Sequence, residues 1–243
     1  MRVIPVIDIL NGVTVHAARS KRKEYQPIES ILCDSAEPLR VASAFEALGF
    51  AELYIADLDN IMGKGSSFPI VKQIAEKTKL KIMVDAGIYD VEKAREAFRS
   101  KALKIVVGTE TLQNLGFVRE AADLFGNEHV VVSLDLLNGK IMSKSEIIES
   151  IGALALARRF QEMGVTEIVV LDLARVGSGE GADVPLLKDI LNSVSIRVLV
   201  GGGVRNLKEL KMLEGVGVCG TLLATALHSG RISVEDLRSA NMI

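Results

Sequence analysis

The pentapeptide DILNG at residues 8–12 decides the fold, because the chain repeats it as DLLNG at residues 135–139. Other residues of the first half recur in the same order in the second half. Asp57, for example, is matched by Asp172. The remaining matches are Gly87 with Gly203, Gly108-Thr109 with Ala224-Thr225, and LGFAEL at residues 48–53 with MGVTEI at residues 163–168. These matches concentrate at the ends of apolar runs, which argues against chance similarity between generic units. The sequence therefore predicts two copies of one structural half.

Eight short apolar runs alternate with segments of helical spacing along the whole chain. Runs rich in Val and Ile are typical of parallel strands that are covered on both faces. The predicted strands are Val3–Ile7, Leu53–Ala56, Ile82–Val84, Ile105–Val107, Val130–Leu134, Ile168–Leu171, Val198–Val200 and Thr221–Leu223. We expect one α/β domain over residues 1–243, a (β/α)₈ TIM barrel with half-barrels of about residues 1–125 and 126–243. A doubly wound open sheet is the alternative.

Polar residues before several helical segments predict where those helices begin. Asp90, Asn206 and Ser233 each precede a segment of helical spacing, as N-cap residues do. Ser35 precedes Glu37-Pro38, and a proline is favoured in the first turn of a helix. We therefore expect all four side chains to act as N-caps.

The composition fits a single barrel and excludes several classes of protein. Barrels commonly have about 250 residues, and this chain has 243, of which 49% are hydrophobic. The 29 basic and 31 acidic residues leave a net charge of −2, so the chain lacks the excess of positive charge that is typical of proteins that bind nucleic acid. The two cysteines do not make a disulfide framework, and neither a signal peptide nor a membrane-spanning run is evident. We expect a cytoplasmic protein, monomeric or a small homo-oligomer, with no nucleic-acid or membrane partner.

Aspartates dominate the predicted C-terminal strand ends, where the active sites of barrels lie. The residues at those positions are Asp8, Asp57, Asp85, Gly108, Asp135, Asp172, Gly201 and Ala224. Asp8 and Asp135 stand apart because the repeat places them on the first and fifth strands, opposite each other across the mouth. Two facing carboxylates suit a reaction that donates a proton on one side and removes one on the other. We predict that they form the catalytic pair, and that Asp57 and Asp172 are substrate ligands or supporting groups.

Glycines after the last two predicted strands indicate a phosphate site. Gly202 and Gly203 follow the seventh strand, and Ala224-Thr225 follow the eighth, where barrels commonly bind phosphate through backbone N–H groups. By the repeat, Gly87 and Gly108-Thr109 predict a second phosphate site after the third and fourth strands. Asp85 weakens this second prediction, because its negative charge would repel a phosphate unless the side chain turns aside.

The histidines, lysines and first loop carry weaker signals. His16 lies just past Asp8 and is a further candidate for contact with the substrate. No histidine has metal-ligand spacing with a cysteine or another histidine, so no metal is expected. Lys81 and Lys104 begin their strands, at the wrong end for an imine-forming lysine. The basic run of residues 19–23 is either a solvated loop or a lid that closes on an anionic substrate.

Together these positions resemble the phosphoribosylformimino-aminoimidazole-carboxamide ribotide isomerase family and its sister, the cyclase subunit of imidazole-glycerol-phosphate synthase. The resemblance covers essentially the whole chain, and it rests on IPVID at residues 4–8 with Asn11-Gly12, DLD at 57–59, VGT at 107–109, LD at 134–135 with Gly139, and GGGV at 201–204. It implies a phosphorylated small-molecule substrate, no cofactor, and an Amadori rearrangement in which an aminoaldose phosphate becomes an aminoketose. It also implies that Asp8 is the general base and Asp135 the general acid.

The chain departs from the family pattern at several site positions. Leu171 replaces the usual Thr before the sixth-strand Asp, and Val176 replaces a loop Asp, although Arg175 and Gly177 match. Tyr89 stands in place of an Arg, Ala224-Thr225 replaces a Gly-Arg pair, and the loop Arg19–Ser30 is unlike that of the standard isomerase. Because Leu171 cannot hydrogen-bond the substrate, we expect the histidine-pathway reaction to be impaired.

Three functions therefore remain open. The leading one is an isomerase of a phosphorylated aminosugar such as the histidine-pathway ribotide. A second is a diverged lyase, cyclase or isomerase acting on another phosphorylated metabolite, for example in the biosynthesis of a one-carbon coenzyme. A cyclase would require a glutaminase partner that delivers ammonia. The third is a protein that binds a phosphorylated ligand without catalysis.

Overall fold

The computed structural model describes residues Met1–Ile243 and contains a closed barrel of eight parallel strands. The strands are β1 (Arg2–Leu10), β2 (Val13–Val15), β3 (Glu52–Asp57), β4 (Lys81–Asp85), β5 (Lys104–Gly108), β6 (Val130–Leu137), β7 (Lys140–Ile141), β8 (Glu167–Asp172), β9 (Arg197–Gly201) and β10 (Gly220–Leu223). All but the short β2 and β7 belong to the barrel, which closes where β10 pairs with β1. The predicted barrel is confirmed, and an open sheet is excluded.

Helices follow the barrel strands and cover the outer face of the sheet. They are α1 (Pro38–Ala47), α2 (Leu58–Ile61), α3 (Phe68–Lys77), α4 (Val91–Arg99), α5 (Gly116–Phe125), α6 (Glu146–Ile151), α7 (Ala153–Glu162), α8 (Val184–Ser193), α9 (Leu207–Gly215), α10 (Thr225–His228) and α11 (Val234–Ser239), with a 3₁₀ helix over Arg22–Glu24. No helix of the chain is long and apolar enough to cross a membrane.

Three of the four predicted N-caps are confirmed. The side chains of Asp90, Asn206 and Ser233 each accept a hydrogen bond from the backbone N–H three residues further on. The prediction for Ser35 is wrong, because α1 begins at Pro38 and its N-cap is Glu37. The Ser35 hydroxyl instead accepts from the N–H of Glu37, at 3.1 Å, and orders the turn that leads into the helix.

Two hairpins lengthen the strands that carry the predicted catalytic aspartates. Asn11 and Gly12 have φ of 51° and 78°, and Asn138 and Gly139 have φ of 53° and 77°. Positive φ at both central residues defines a type I′ turn, which Asn-Gly favours. As a result β1 and β6 run on to Leu10 and Leu137. The predicted catalytic aspartates consequently lie inside their strands rather than at the strand ends.

The apolar residues form one layer inside the barrel and a larger one between sheet and helices. The inner cluster has 12 buried residues, which include Tyr54, Met83 and Leu199, and it fills the barrel below its mouth. The outer cluster has 54 buried residues. A barrel filled in this way leaves open only the space above the inner cluster, at the C-terminal ends of the strands.

A charged cluster occupies the opposite end of the barrel, where the strands begin. The buried Glu167 carboxylate pairs there with Arg2 and Arg197, and with the ammonium group of Lys104 at 2.5 Å. This position agrees with the expectation that Lys104 begins its strand and lies far from the mouth.

Candidate active site

One cavity at the C-terminal mouth of the barrel is lined by both Asp8 and Asp135. Its empty space, including the part open to solvent, is about 970 Å³. The two aspartates lie on β1 and β6, which are separated by three barrel strands on one side and three on the other. They therefore face the cavity from opposite walls, as the repeat predicts.

The Asp8 carboxyl differs from an ordinary surface carboxyl in its hydrogen bonding and in its pKa. No protein group donates a hydrogen bond to it, although the side chain lines the cavity. Burial raises its pKa to about 7, and the opposing effect of the Arg22 guanidinium is smaller, while Asp85 raises the pKa further. Near neutral pH this carboxyl is therefore divided between its ionised and its protonated form.

The Asp135 carboxyl, unlike that of Asp8, is held by hydrogen bonds from the protein. It accepts hydrogen bonds from the Ser133 hydroxyl, at 2.6 Å, and from the backbone N–H of Glu110, at 2.9 Å. Those bonds favour the ionised form, but burial and the nearby Asp85 carboxylate outweigh them and raise the pKa to about 8. The Asp135 carboxyl accordingly keeps its proton to a higher pH than an ordinary aspartate does.

Gly108 and Thr109 support Asp135 and do not line the cavity. A Cβ on Gly108 would lie 2.7 Å from an Asp135 carboxylate oxygen, so only glycine leaves room for that side chain. The Thr109 hydroxyl accepts from the Asp135 backbone N–H at 2.9 Å, and Thr109 is fully buried. Gly87 is also absent from the cavity wall. The structure therefore does not bring the residues of the predicted second phosphate site to the cavity.

Asp85 faces the cavity and does not turn aside. One carboxylate oxygen accepts from the Tyr54 hydroxyl at 3.1 Å, and the other accepts from the Gly87 N–H at 3.3 Å. Burial raises the pKa of Asp85, while these hydrogen bonds act in the opposite direction. Asp85 thus lines the cavity where the repeat places a glycine in the other half.

The first loop lies across the mouth, and both of its arginines are paired with carboxylates. The Arg22 guanidinium binds both oxygens of Glu110, at 2.7 and 2.6 Å, and these side chains are only 20% and 14% exposed. Arg19 pairs with Glu180 at 2.7 Å. The Arg19 backbone N–H also donates to the Val176 carbonyl, which fixes the loop over the mouth.

Gly202 and Gly203 form a cradle of free backbone N–H groups at the other side of the cavity. Their φ values of 95° and 81° favour glycine. A Cβ on Gly202 would lie 2.5 Å from the Asp172 carbonyl oxygen, and one on Gly203 would lie 2.8 Å from the Gly181 carbonyl oxygen. The N–H groups of Gly202, Gly203 and Ala224 donate to no protein acceptor.

Thr225 and Arg231 complete this side of the cavity. The Thr225 hydroxyl lies 3.0 Å from Nε2 of the exposed His16, which does not itself line the cavity. Arg231 lines the cavity, and its guanidinium has no carboxylate partner, donating only to the Ser229 hydroxyl at 3.2 Å. Arg231 is therefore a positive charge available to an anionic ligand.

Asp172 and Arg175 support the cradle from outside the cavity. They line a separate pocket, and the Asp172 carboxylate accepts from Nε of Arg175 at 2.9 Å. Arg175 also donates to the Gly181 carbonyl, and the Gly181 N–H donates to the Gly203 carbonyl, both at 2.9 Å. This chain of bonds joins the predicted sixth-strand aspartate to the glycine backbone.

Asp57 has a local structural role. Its carboxylate accepts from the N–H of Asn60, at the start of α2, and from the N–H of Ser67 at 2.6 Å. The residue is fully buried and does not line the cavity. The structure thus places Asp57 as a loop brace rather than in contact with a ligand.

Several cavity residues escaped sequence reasoning. Tyr54 and Tyr25 line the cavity, together with Glu110 and Arg231. Glu110 directly follows the Gly108-Thr109 motif, so its position at a strand end was an available signal. Tyr54 lies inside a predicted strand, and nothing in the pattern indicates that it reaches the mouth. The structure holds no group of three or more His, Cys, Asp or Glu side chains arranged to bind a metal ion.

Comparison with known proteins identifies relatives over nearly the whole chain. An uncharacterized protein of Methanocaldococcus jannaschii is 34% identical over 242 residues, which cover 98% of this chain and 97% of the relative. A protein of Methanosphaera stadtmanae named 1-(5-phosphoribosyl)-5-((5-phosphoribosylamino)methylideneamino) imidazole-4-carboxamide isomerase is 31% identical, covering 97% of this chain and 98% of the relative. A protein of the same name from Methanosarcina mazei is 31% identical, over 98% and 96%.

The match to a family is equally extensive. Residues 2–233 match the family described as Histidine biosynthesis protein, so the match includes every barrel strand and all three aspartates of the cavity. The resemblance drawn from the sequence motifs is confirmed. The chain belongs to the Histidine biosynthesis protein family.

Proposed function

We propose that this chain is an aldose–ketose isomerase of the Amadori type, acting on a phosphorylated aminosugar such as the histidine-pathway ribotide. The observation that carries the proposal is the pair of carboxyls, Asp8 and Asp135, on opposite walls of one cavity that extends to the cradle of free backbone N–H groups. Relatives named as isomerases support the reaction class.

The surroundings of the two carboxyls favour distinct roles. Asp135, with its pKa raised to about 8, keeps a proton at neutral pH and donates it to the ring oxygen as the sugar opens. Asp8, with a pKa of about 7 and no hydrogen-bond donor from the protein, accepts the proton from C2 of the opened sugar. The resulting enolamine takes up a proton at C1 from Asp8 and loses the proton of its C2 hydroxyl to Asp135, which gives the aminoketose and restores both carboxyls. Atoms and charge balance without a cofactor.

Two apolar residues favour a second candidate, a diverged enzyme of the same family acting on another phosphorylated metabolite. Leu171 and Val176 both line the cavity, at positions where the family pattern has a hydroxyl and a carboxylate. An apolar wall recognises a different group on the ligand. Such an enzyme is a lyase, cyclase or isomerase, and a step in one-carbon coenzyme biosynthesis is one example.

The assay that tests the proposal uses the purified protein and the histidine-pathway aminoaldose bisphosphate, with Asp8→Asn and Asp135→Asn as separate variants. We expect slow turnover in the wild type, because Leu171 gives the substrate no hydrogen bond and the Asp85 carboxylate opposes one of its two phosphates. Each variant should lose a further factor of about 10³ or more in kcat, because each removes one proton-transfer group. Asp57→Asn is the matched control, since Asp57 lies outside the cavity.

No turnover by the folded wild type would move the reaction to another phosphorylated metabolite. Variants that change ligand affinity alone, on every substrate found, would indicate a protein that binds without catalysis. Retention of wild-type kcat by Asp8→Asn or Asp135→Asn would contradict the assigned pair.

A further inference from the structure

The cavity has two ends of opposite chemistry, which we call the acidic end and the glycine end. The acidic end consists of Tyr54, Asp85, Glu110 and Arg22, beside Asp135. The glycine end consists of Gly202, Gly203, Ala224, Thr225 and Arg231. Asp8 and Asp135 lie on facing walls, so a ligand that reaches both has groups directed toward each end.

We propose that the substrate of this site carries a single phosphate, bound at the glycine end, and that its opposite end is a hydroxyl or amino group that donates a hydrogen bond to Asp85. This inference rests on the proposed function for its reacting carbons but not for its account of the two ends. It differs from a bisphosphate substrate, which the name of the isomerase relatives implies for those proteins.

The backbone at the acidic end has no N–H groups to offer a phosphate in the segment that follows β5. The Thr109 N–H donates to the Ser133 carbonyl, and the Glu110 N–H donates to the Asp135 carboxylate. The next two N–H groups, of Thr111 and Leu112, both donate to the Gly108 carbonyl. A phosphate bound by this segment would therefore have to break hydrogen bonds that hold Asp135 in place. After β4, the Gly87 N–H donates to the Asp85 carboxylate. The Ala86 N–H has no acceptor, but Ala86 is fully buried, does not line the cavity and directly follows Asp85.

The side chains at the acidic end also oppose an anion. Asp85 and Glu110 carry two negative charges against the one positive charge of Arg22, which is fully engaged with Glu110. If Arg22 swung away to meet a phosphate, the Glu110 carboxylate would be left unpaired in a largely buried site. Either arrangement places like charges close together in a region of low dielectric constant.

The glycine end has the reverse character. Its N–H groups of Gly202, Gly203 and Ala224 have no acceptor within the protein. Arg231 brings a cation without a carboxylate partner, and it lies against the backbone of Gly179. The nearest strand-end carboxylate, that of Asp172, is turned into the neighbouring pocket and paired with Arg175. Free N–H groups and one unpaired guanidinium suit a single phosphate.

At the acidic end, the free hydrogen-bonding capacity is that of an acceptor. One Asp85 oxygen accepts a hydrogen bond from the Tyr54 hydroxyl, and the other accepts one from the Gly87 N–H. Each oxygen has a further lone pair that can accept a hydrogen bond from a ligand. A hydroxyl or an amino group satisfies that acceptor, whereas a phosphate does not.

The test compares two probes that differ by one phosphate, D-fructose 6-phosphate and D-fructose 1,6-bisphosphate, titrated into the full-length protein by calorimetry. We expect the bisphosphate to bind no more tightly than the monophosphate. In Asp85→Asn, which keeps the shape and removes the charge, the bisphosphate should gain about tenfold in affinity relative to the monophosphate. A bisphosphate that binds the wild type tenfold or more tightly than the monophosphate would overturn the inference.

A separate titration with inorganic phosphate measures the number of phosphate sites per chain. We expect one site per chain, weakened about tenfold in Arg231→Gln and unchanged in Asp85→Asn. Two sites, or one site that Arg231→Gln leaves intact, would overturn the inference, as would no binding of phosphate at all. None of these titrations needs turnover. An isomerase assignment that fails in the Asp8→Asn assay therefore leaves the single-phosphate account standing, and the converse also holds.

Discussion

The acidic end and the glycine end occupy matching positions in the repeat, yet they bind different chemical groups. The backbone is similar at both ends, and Asp90 and Asn206 cap equivalent helices. At the acidic end the N–H groups of Thr111 and Leu112 donate to the Gly108 carbonyl. At the glycine end those of Leu227 and His228 donate to the Ala224 carbonyl. What differs is the set of side chains, since Asp85 stands where the other copy has Gly201, Glu110 pairs with Arg22 at the acidic end, and Arg231 lies at the glycine end. A repeated backbone therefore does not imply a repeated binding site.

The two catalytic candidates differ in a comparable way. Both are aspartates at equivalent positions of β1 and β6, each followed by an Asn-Gly hairpin. Asp135 has two hydrogen-bond donors from the protein and Asp8 has none. These donors favour the ionised form of Asp135, but burial and the Asp85 carboxylate raise its pKa. We propose Asp135 as the acid on that ground, and Asp8 as the base.

The pH dependence of kcat/KM is the largest effect that would sharpen this comparison. The base must be ionised, so the rate should fall as the pH drops below the Asp8 pKa of about 7. The acid must be protonated, so the rate should fall as the pH rises above the Asp135 pKa of about 8. We expect a bell with a loss of about tenfold per pH unit on each side.

A histidine could also produce the acidic limb of that bell, because imidazole titrates near neutral pH. His16→Gln is the matched control, since His16 is the histidine beside the glycine end. The acidic limb should persist in this variant. Its disappearance would assign the limb to His16 and remove the support for Asp8.

A smaller effect separates the two ends by equivalent substitutions, Gly203→Ala and Gly87→Ala. Both residues have positive φ, of 81° and 62°, and an added Cβ would lie 2.8 Å from the Gly181 oxygen or 3.0 Å from Ile61 Cα. Each change should lower the free energy of unfolding by about 1–3 kcal/mol, measured by thermal or urea denaturation.

Only one of these variants should affect ligand binding. Gly203→Ala disturbs the cradle, so its affinity for inorganic phosphate should fall about tenfold or more. Gly87→Ala should keep the wild-type affinity for inorganic phosphate. Equal losses in both variants would mean that the two ends bind phosphate alike, which breaks the comparison.

The sequence predicts the barrel and the positions of the facing aspartates because these depend on local patterns. Apolar runs mark the strands, and Asp90, Asn206 and Ser233 mark helix starts. The Asn-Gly turns were visible in the repeat, but their consequence, that strands β1 and β6 extend past the aspartates, appears only in the structure. The division into two half-barrels stays a prediction from the repeat.

The roles of other site residues depend on contacts between distant parts of the chain. Arg22 and Glu110 are 88 residues apart, and Tyr54 and Asp85 are 31 apart. No local pattern shows that Arg22 of the basic first loop is paired with Glu110. Nor does any pattern show that Asp172, which the sequence places at a strand end as it does Asp8, turns away into a separate pocket.

The measurement that tests the central claim most directly is a crystal structure of the protein with D-fructose 1,6-bisphosphate or inorganic phosphate bound. The account predicts phosphate against the N–H groups of Gly202 and Gly203 and the guanidinium of Arg231, with no phosphate in contact with Asp85. A phosphate seated beside Asp85, on the segment after β4 or β5, would contradict it.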